Sequence, residues 1–154
     1  MLTPYLPQSS PRALALIDAN LDHYQELAEL VSPHVETLII QRDRNGIEQV
    51  SEILNSLQLV NHKLQALYWF AHGAPGEILL GNNSLNQASL SQYSNQIKAW
   101  RSALDRTANL FIYSCNLAQN TGSHFLQSFS RILGINISAS SHRVGDSNRG
   151  EIGN

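Results

Sequence analysis

The chain of 154 residues contains a single cysteine, Cys115, and that scarcity excludes two classes of protein at once. No intrachain disulfide framework can form, and no multi-cysteine zinc site can be built. Charge is scarce too: charged residues make up 14% of the sequence, and 10 basic against 12 acidic residues leave a net charge of −2. Such a balance gives no electrostatic footprint for nucleic acid or for an anionic membrane surface. No apolar run approaches the roughly 18 residues that a membrane-spanning helix needs. The opening MLTPYLPQSSPR has no basic start followed by an apolar segment, so no secretory signal is expected and a cytoplasmic location is the default. Neither a cofactor nor a metal is expected. The alternating charges of RDRNG (42–46) are too sparse in acids for a calcium loop and read as a turn.

What is present is an alternation of apolar runs and amphipathic stretches. A chain of this length forms one domain that buries about 68–70% of its unfolded surface. After an irregular, proline-rich lead-in (1–12), ALALID (13–18) is a buried-strand candidate. Leu21, Tyr24, Leu27, Ala28 and Val31 fall at helical spacing, with Asn20 or Asp22 available as N-cap and Pro33 just beyond the end. VETLIIQ (35–41) is a second strand, and Ile47, Val50, Ile53, Leu54 and Leu57 mark a second helix. LQALYWFAHG (64–73) is a third strand, followed across a Pro-Gly turn by EILLG (77–81) as a small hairpin or strand extension. Leu90, Tyr93, Ile97, Trp100 and Leu104 space a third helix, NLFIYSCN (109–116) is a fourth strand, and Phe125 to Leu133 a fourth helix stopped by Gly134. INISAS (135–140) is a fifth strand before a Gly-rich tail. The predicted fold is α/β: a three-layer α-β-α sandwich around a mainly parallel sheet.

Ligands of such sheets bind beyond the carboxyl ends of the strands, which directs attention to Asp18, His72 and Cys115 at the ends of the first, third and fourth strands. A thiol becomes a nucleophile as the thiolate, and an imidazole can act as its base and then as the acid for the leaving group. Gly73 lets the backbone approach a substrate, and its N–H, with that of Cys115, can hold an oxyanion. Taken singly, each residue has a plainer assignment: Cys115 as a small core hydrophobe and His72 as a polar strand end. Trp69 and Trp100 read as core, and His23, His34, His62 and His124 as surface or capping residues.

An apolar strand ending in His-Gly, then an apolar strand ending in Cys, resembles the caspase–gingipain–legumain clan of cysteine peptidases. More closely, ALALIDANLDHYQELAELV, RNGIEQVSEIL, FAHGAPGEILLGNNSLN and FIYSCNLAQNTGSHFLQSFSRILGINISASSHRVG resemble a bacterial domain of that caspase-like fold. That domain often stands near the N-terminus of large repeat-rich surface proteins of cyanobacteria and marine bacteria. The likeness spans residues 13–154 and implies a cysteine endopeptidase with His72 as base and Cys115 as nucleophile, acting on a peptide or protein substrate. It departs from the metacaspase pattern, in which an acidic residue precedes the cysteine; here Tyr113 and Ser114 do.

The resemblance also implies that Asp18 lines the pocket for the residue before the scissile bond, where a carboxylate favours Arg or Lys. The competing assignment is that Asp18 or Asn20 caps the following helix. Asp146 is a candidate second acidic wall and His142 a candidate substrate contact. RGEIGN (149–154) stops where the resembling domain continues into another strand. The expectation is a truncated chain, or the N-terminal fragment of a self-processed precursor cut after Asn154, with a C-terminal second chain or domain as its partner. A catalytically inactive interaction domain of a larger surface or secreted protein is the main rival, and a small-molecule acyl hydrolase using the same pair is a further one.

Overall fold

The computed structural model describes residues 11–114, 117–119 and 122–139. Five parallel strands form the central sheet: β1 (Ala13–Asp18), β2 (Glu36–Ile40), β3 (Leu64–Phe70), β7 (Leu104–Tyr113) and β8 (Asn136–Ala139), in the spatial order β2-β1-β3-β7-β8. β1 is an interior strand, paired on both edges, and five of its six residues are buried, which is why its sequence is aliphatic without alternation. Three short strands, β4 (Gly73–Ala74), β5 (Glu77–Leu80) and β6 (Asn83–Asn86), make a separate antiparallel sheet directly after β3. The expected hairpin after the Pro-Gly turn is therefore present and gains a third strand that the polar sequence NSLN did not reveal.

Crossover handedness explains how the helices are distributed. From β1 the chain steps outward to β2, then reverses past β1 to β3 and continues through β7 to β8. Right-handed connections put the first crossover on one face and the later ones on the other. Accordingly, α1 (Tyr24–Leu30) joins a small cluster with Ala15, Ile17, Leu21 and Phe70. The larger core on the opposite face gathers α2 (Gly46–Leu59), α3 (Gln87–Gln92), α4 (Ser94–Ala99) and α5 (Gly122–Leu133) over Leu14, Leu16, Leu67, Trp69, Leu110 and Ile112. Trp69 and Trp100 are core residues, at 0% and 2% exposure.

Four expectations change. The first helix starts at Tyr24 with His23 in the N-cap position, in the left-handed region and without a side-chain cap bond, so neither Asp18, Asn20 nor Asp22 caps it. The third helix is broken at Tyr93 into α3 and α4, followed by a 3-10 turn, Trp100–Ala103. Contacts with α2 dictate this path: Asn45 Nδ2 donates to Tyr93 Oη (3.0 Å), and Trp100 Nε1 to Ser51 Oγ (2.8 Å). β7 begins five residues early, at Leu104, because a register shift lets the polar residues after Leu104 loop out between its pairing with Leu64 and that of Asn109 with Ala66. Asp105 Oδ1 fastens this irregularity by accepting from Thr107 N and Oγ1, at 3.0 and 2.8 Å. His62 is also more than a surface residue, since its half-buried ring donates to the carbonyl of Pro11.

Among the described residues, no helix is long and apolar enough to cross a membrane. The strand order reverses between β1 and β3, and the crevice outside their carboxyl ends is the place where such sheets take ligands.

Candidate active site

Three separate segments meet at that crevice: the turn after β1, the end of β3, and the turn between β5 and β6. Asp18, the last residue of β1, is fully buried. Its Oδ1 accepts from the backbone N–H and the side-chain amide of Asn20, both at 2.7 Å, and its Oδ2 accepts from the Gly81 N–H at 2.6 Å. The second hydrogen of the Asn20 amide goes to the Gly81 carbonyl at 2.8 Å. Gly81 lies between β5 and β6 with φ +61, and a Cβ there would stand 2.1 Å from the Arg44 carbonyl oxygen, so only glycine fits this junction. Asp18 thus has no exposed surface with which to line a pocket; its carboxylate is engaged inside the protein.

His72 lies two residues beyond β3 and is exposed. Its Nε2 is 3.1 Å from the carbonyl oxygen of Asn20, the residue that Asp18 holds. A carbonyl only accepts, so Nε2 carries the hydrogen, and in the neutral ring Nδ1 is then the bare nitrogen. The main chain of His72 is held as well, its carbonyl accepting from Leu79 N at 2.9 Å. Ring and backbone are therefore anchored to the two partners of Asp18, the Asn20 turn and the hairpin.

Gly73 follows in β4. Because the bonded pair is His72–Leu79, Gly73 opposite Ile78 falls between bonded pairs, which turns its N–H away from β5. Space, rather than torsion, demands glycine here: a Cβ would lie 1.9 Å from Ser114 Oγ and 2.9 Å from the Glu77 carbonyl oxygen.

β3 pairs directly with β7, Phe70 opposite Tyr113, and Ala71 N donates to the Tyr113 carbonyl at 3.2 Å. The two strand ends are therefore level and adjacent. Phe70 and Tyr113 stack with ring centroids 4.8 Å apart, and burial together with nearby Tyr68 raises the Tyr113 phenol above its usual value. Ser114, next in the chain, is fully buried, and its hydroxyl has no hydrogen-bond partner among the described residues. Further on, the Leu117 carbonyl accepts from Gly76 N at 3.0 Å, so the segment beyond β7 returns to the β4–β5 turn.

Of the residues singled out in the sequence, Asp18, His72 and Gly73 come to one sheet edge. Cys115, His142 and Asp146 lie outside the described residues, as do residues 1–10 of the lead-in. Among the described residues, no three His, Cys, Asp or Glu side chains group closely enough to hold a metal ion. Sequence reading missed Asn20 as the partner of the His72 ring and Gly81 as the partner of Asp18. Neither is signalled locally, because the contacts span 52 and 63 positions of chain. Comparison with curated proteins returns no match. A family model does match, over residues 14–154, and its description is "Domain of unknown function (DUF4347)"; the chain belongs to that family.

Proposed function

We propose that the chain is a caspase-like cysteine endopeptidase domain in which His72 is the general base and Cys115 the nucleophile. The observation that carries this reading is the state of His72. The ring is exposed at the carboxyl edge of the sheet, donates Nε2–H to the Asn20 carbonyl at 3.1 Å, and keeps Nδ1 bare. Support comes from topology, since β3 is the direct neighbour of β7, the strand whose last residue precedes Cys115 by two positions. In the proposed reaction the Cys115 thiol gives its proton to Nδ1 as sulfur attacks the peptide carbonyl carbon. The Gly73 and Cys115 amides hold the oxyanion. Collapse breaks the C–N bond, and the imidazolium returns the proton to the departing amine. A water, deprotonated by the same ring, then hydrolyses the thioester and restores the thiol.

The test is labelling of the full chain with a peptide-linked, thiol-directed electrophile, mapped by mass spectrometry. The reading expects selective modification of Cys115, slowed by about 100-fold or more in His72→Ala, the range a general base contributes. A non-catalytic interaction domain gives no such dependence. Labelling at the same rate in wild type and His72→Ala overturns the assignment.

A further inference from the structure

We propose that Asp18 is a positioning residue for His72, acting through Asn20, and not a contact for the substrate. Asp18 is 0% exposed and joins two pieces of main chain that do not otherwise share a strand, the turn after β1 and the turn after β5. One of these pieces presents the carbonyl that receives the His72 ring, and the other continues the hairpin that receives the His72 backbone. The Asn20 side chain closes the figure by bridging Asp18 and the Gly81 carbonyl.

The chemical consequence follows from the directionality of hydrogen bonds. The Asn20 carbonyl selects the ring form protonated at Nε2, and it can do so only while it stays within reach of the ring. The carboxylate holds that carbonyl in place by accepting from the N–H of the same residue and from its side chain. Both bonds are charge-assisted and short, at 2.7 Å. An acid at the end of β1 is thereby committed to the proton-acceptor geometry of His72, leaving basic-residue selectivity to groups other than Asp18. The catalytic meaning of this arrangement rests on the proposed role of His72 as base, whereas the arrangement itself can be tested without any activity.

The experiment is long-range nitrogen–proton NMR of the histidine rings in the full-length chain, at a pH where imidazole is neutral, in wild type, Asp18→Asn and Asn20→Ala. In wild type, His72 is expected almost entirely in the Nε2–H form. Asp18→Asn offers one acceptor oxygen where the carboxylate offers two, and it turns an amide N–H₂ toward existing donors. The ratio of Nδ1–H to Nε2–H forms should rise about fivefold, the change that a hydrogen bond of ordinary net strength corresponds to. Asn20→Ala keeps the carbonyl and loses the side-chain bonds, so a smaller shift in the same direction is expected; it carries the test if Asp18→Asn does not fold. The rings of His23, His34 and His124 should not change. A lowered unfolding midpoint with an unmoved His72 tautomer ratio in both variants overturns the proposal, because it leaves Asp18 as a structural clamp alone. A tautomer shift alongside failed labelling of Cys115 would support the positioning role while removing the peptidase reading.

Discussion

The pair of junctions that meet at Asp18, the turn after β1 and His72 beyond β3, differs sharply in polar satisfaction from the end of β7. At the first pair, a buried carboxylate, an amide, two turn carbonyls and an imidazole join in a connected set of hydrogen bonds. At the end of β7, the buried Ser114 hydroxyl meets the α-carbon of Gly73 and no partner among the described residues. An unmade hydrogen bond in the interior costs about 1–3 kcal/mol, so among the described residues the Ser114 hydroxyl is a local loss of stability that the Asp18 junction does not share. The contrast separates a hydrogen-bonded side that holds the His72 ring from a crowded side, next to Gly73, whose backbone amide is the proposed oxyanion donor.

Breaking the satisfied side should have the largest effect. Asp18→Ala strands the buried N–H of Gly81 and the part-buried N–H of Asn20, and denaturant unfolding should show a loss of about 3–5 kcal/mol. Next comes Gly73→Ala, which drives a methyl group into Ser114 and should lose about 1–3 kcal/mol as an overpacking change. Combining it with Ser114→Gly should recover part of that loss, whereas purely additive energies would show that the two residues do not crowd each other. Ser114→Ala alone should sharpen the contrast from the other side: deleting a buried hydroxyl that has no partner among the described residues is expected to raise stability by about 1 kcal/mol.

The smallest effect concerns Tyr113. Burial and Tyr68 raise its folded-state value, so the neutral phenol is favoured in the folded protein. The stability this contributes is present below the unfolded tyrosine value and is lost as pH rises through the raised folded one. Absorbance titration should find one tyrosine ionising late, and Tyr113→Phe should remove that late step.

Much of the sheet was legible in the sequence for a simple physical reason. ALALID and LYWF are largely buried on both faces and TLII, in the edge strand, is partly buried, so a mostly apolar run marks each of them, and turn residues punctuate the gaps. Asn45, at the end of RDRN, caps α2 by accepting from Glu48 N at 3.0 Å, a contact three positions long. Legibility failed where distant contacts outweighed local pattern. The helical spacing from Leu90 to Leu104 continues through Tyr93, yet bonds to α2 break the helix there and Leu104 enters a strand. The start of β7 was hidden because DRTA is polar and loops out of register. Asp18 showed the same limit at the site: a local reading offered a helix cap or a pocket wall, while its partner Gly81 waited 63 residues away.

The most direct test of the central claim compares peptide hydrolysis by the wild-type chain and by Cys115→Ala across a peptide library, with circular dichroism confirming that both are folded. The account predicts turnover of peptide bonds by the wild type and none above background in the variant. Undiminished cleavage by Cys115→Ala, or a folded wild-type chain that hydrolyses no peptide in the library, would contradict it.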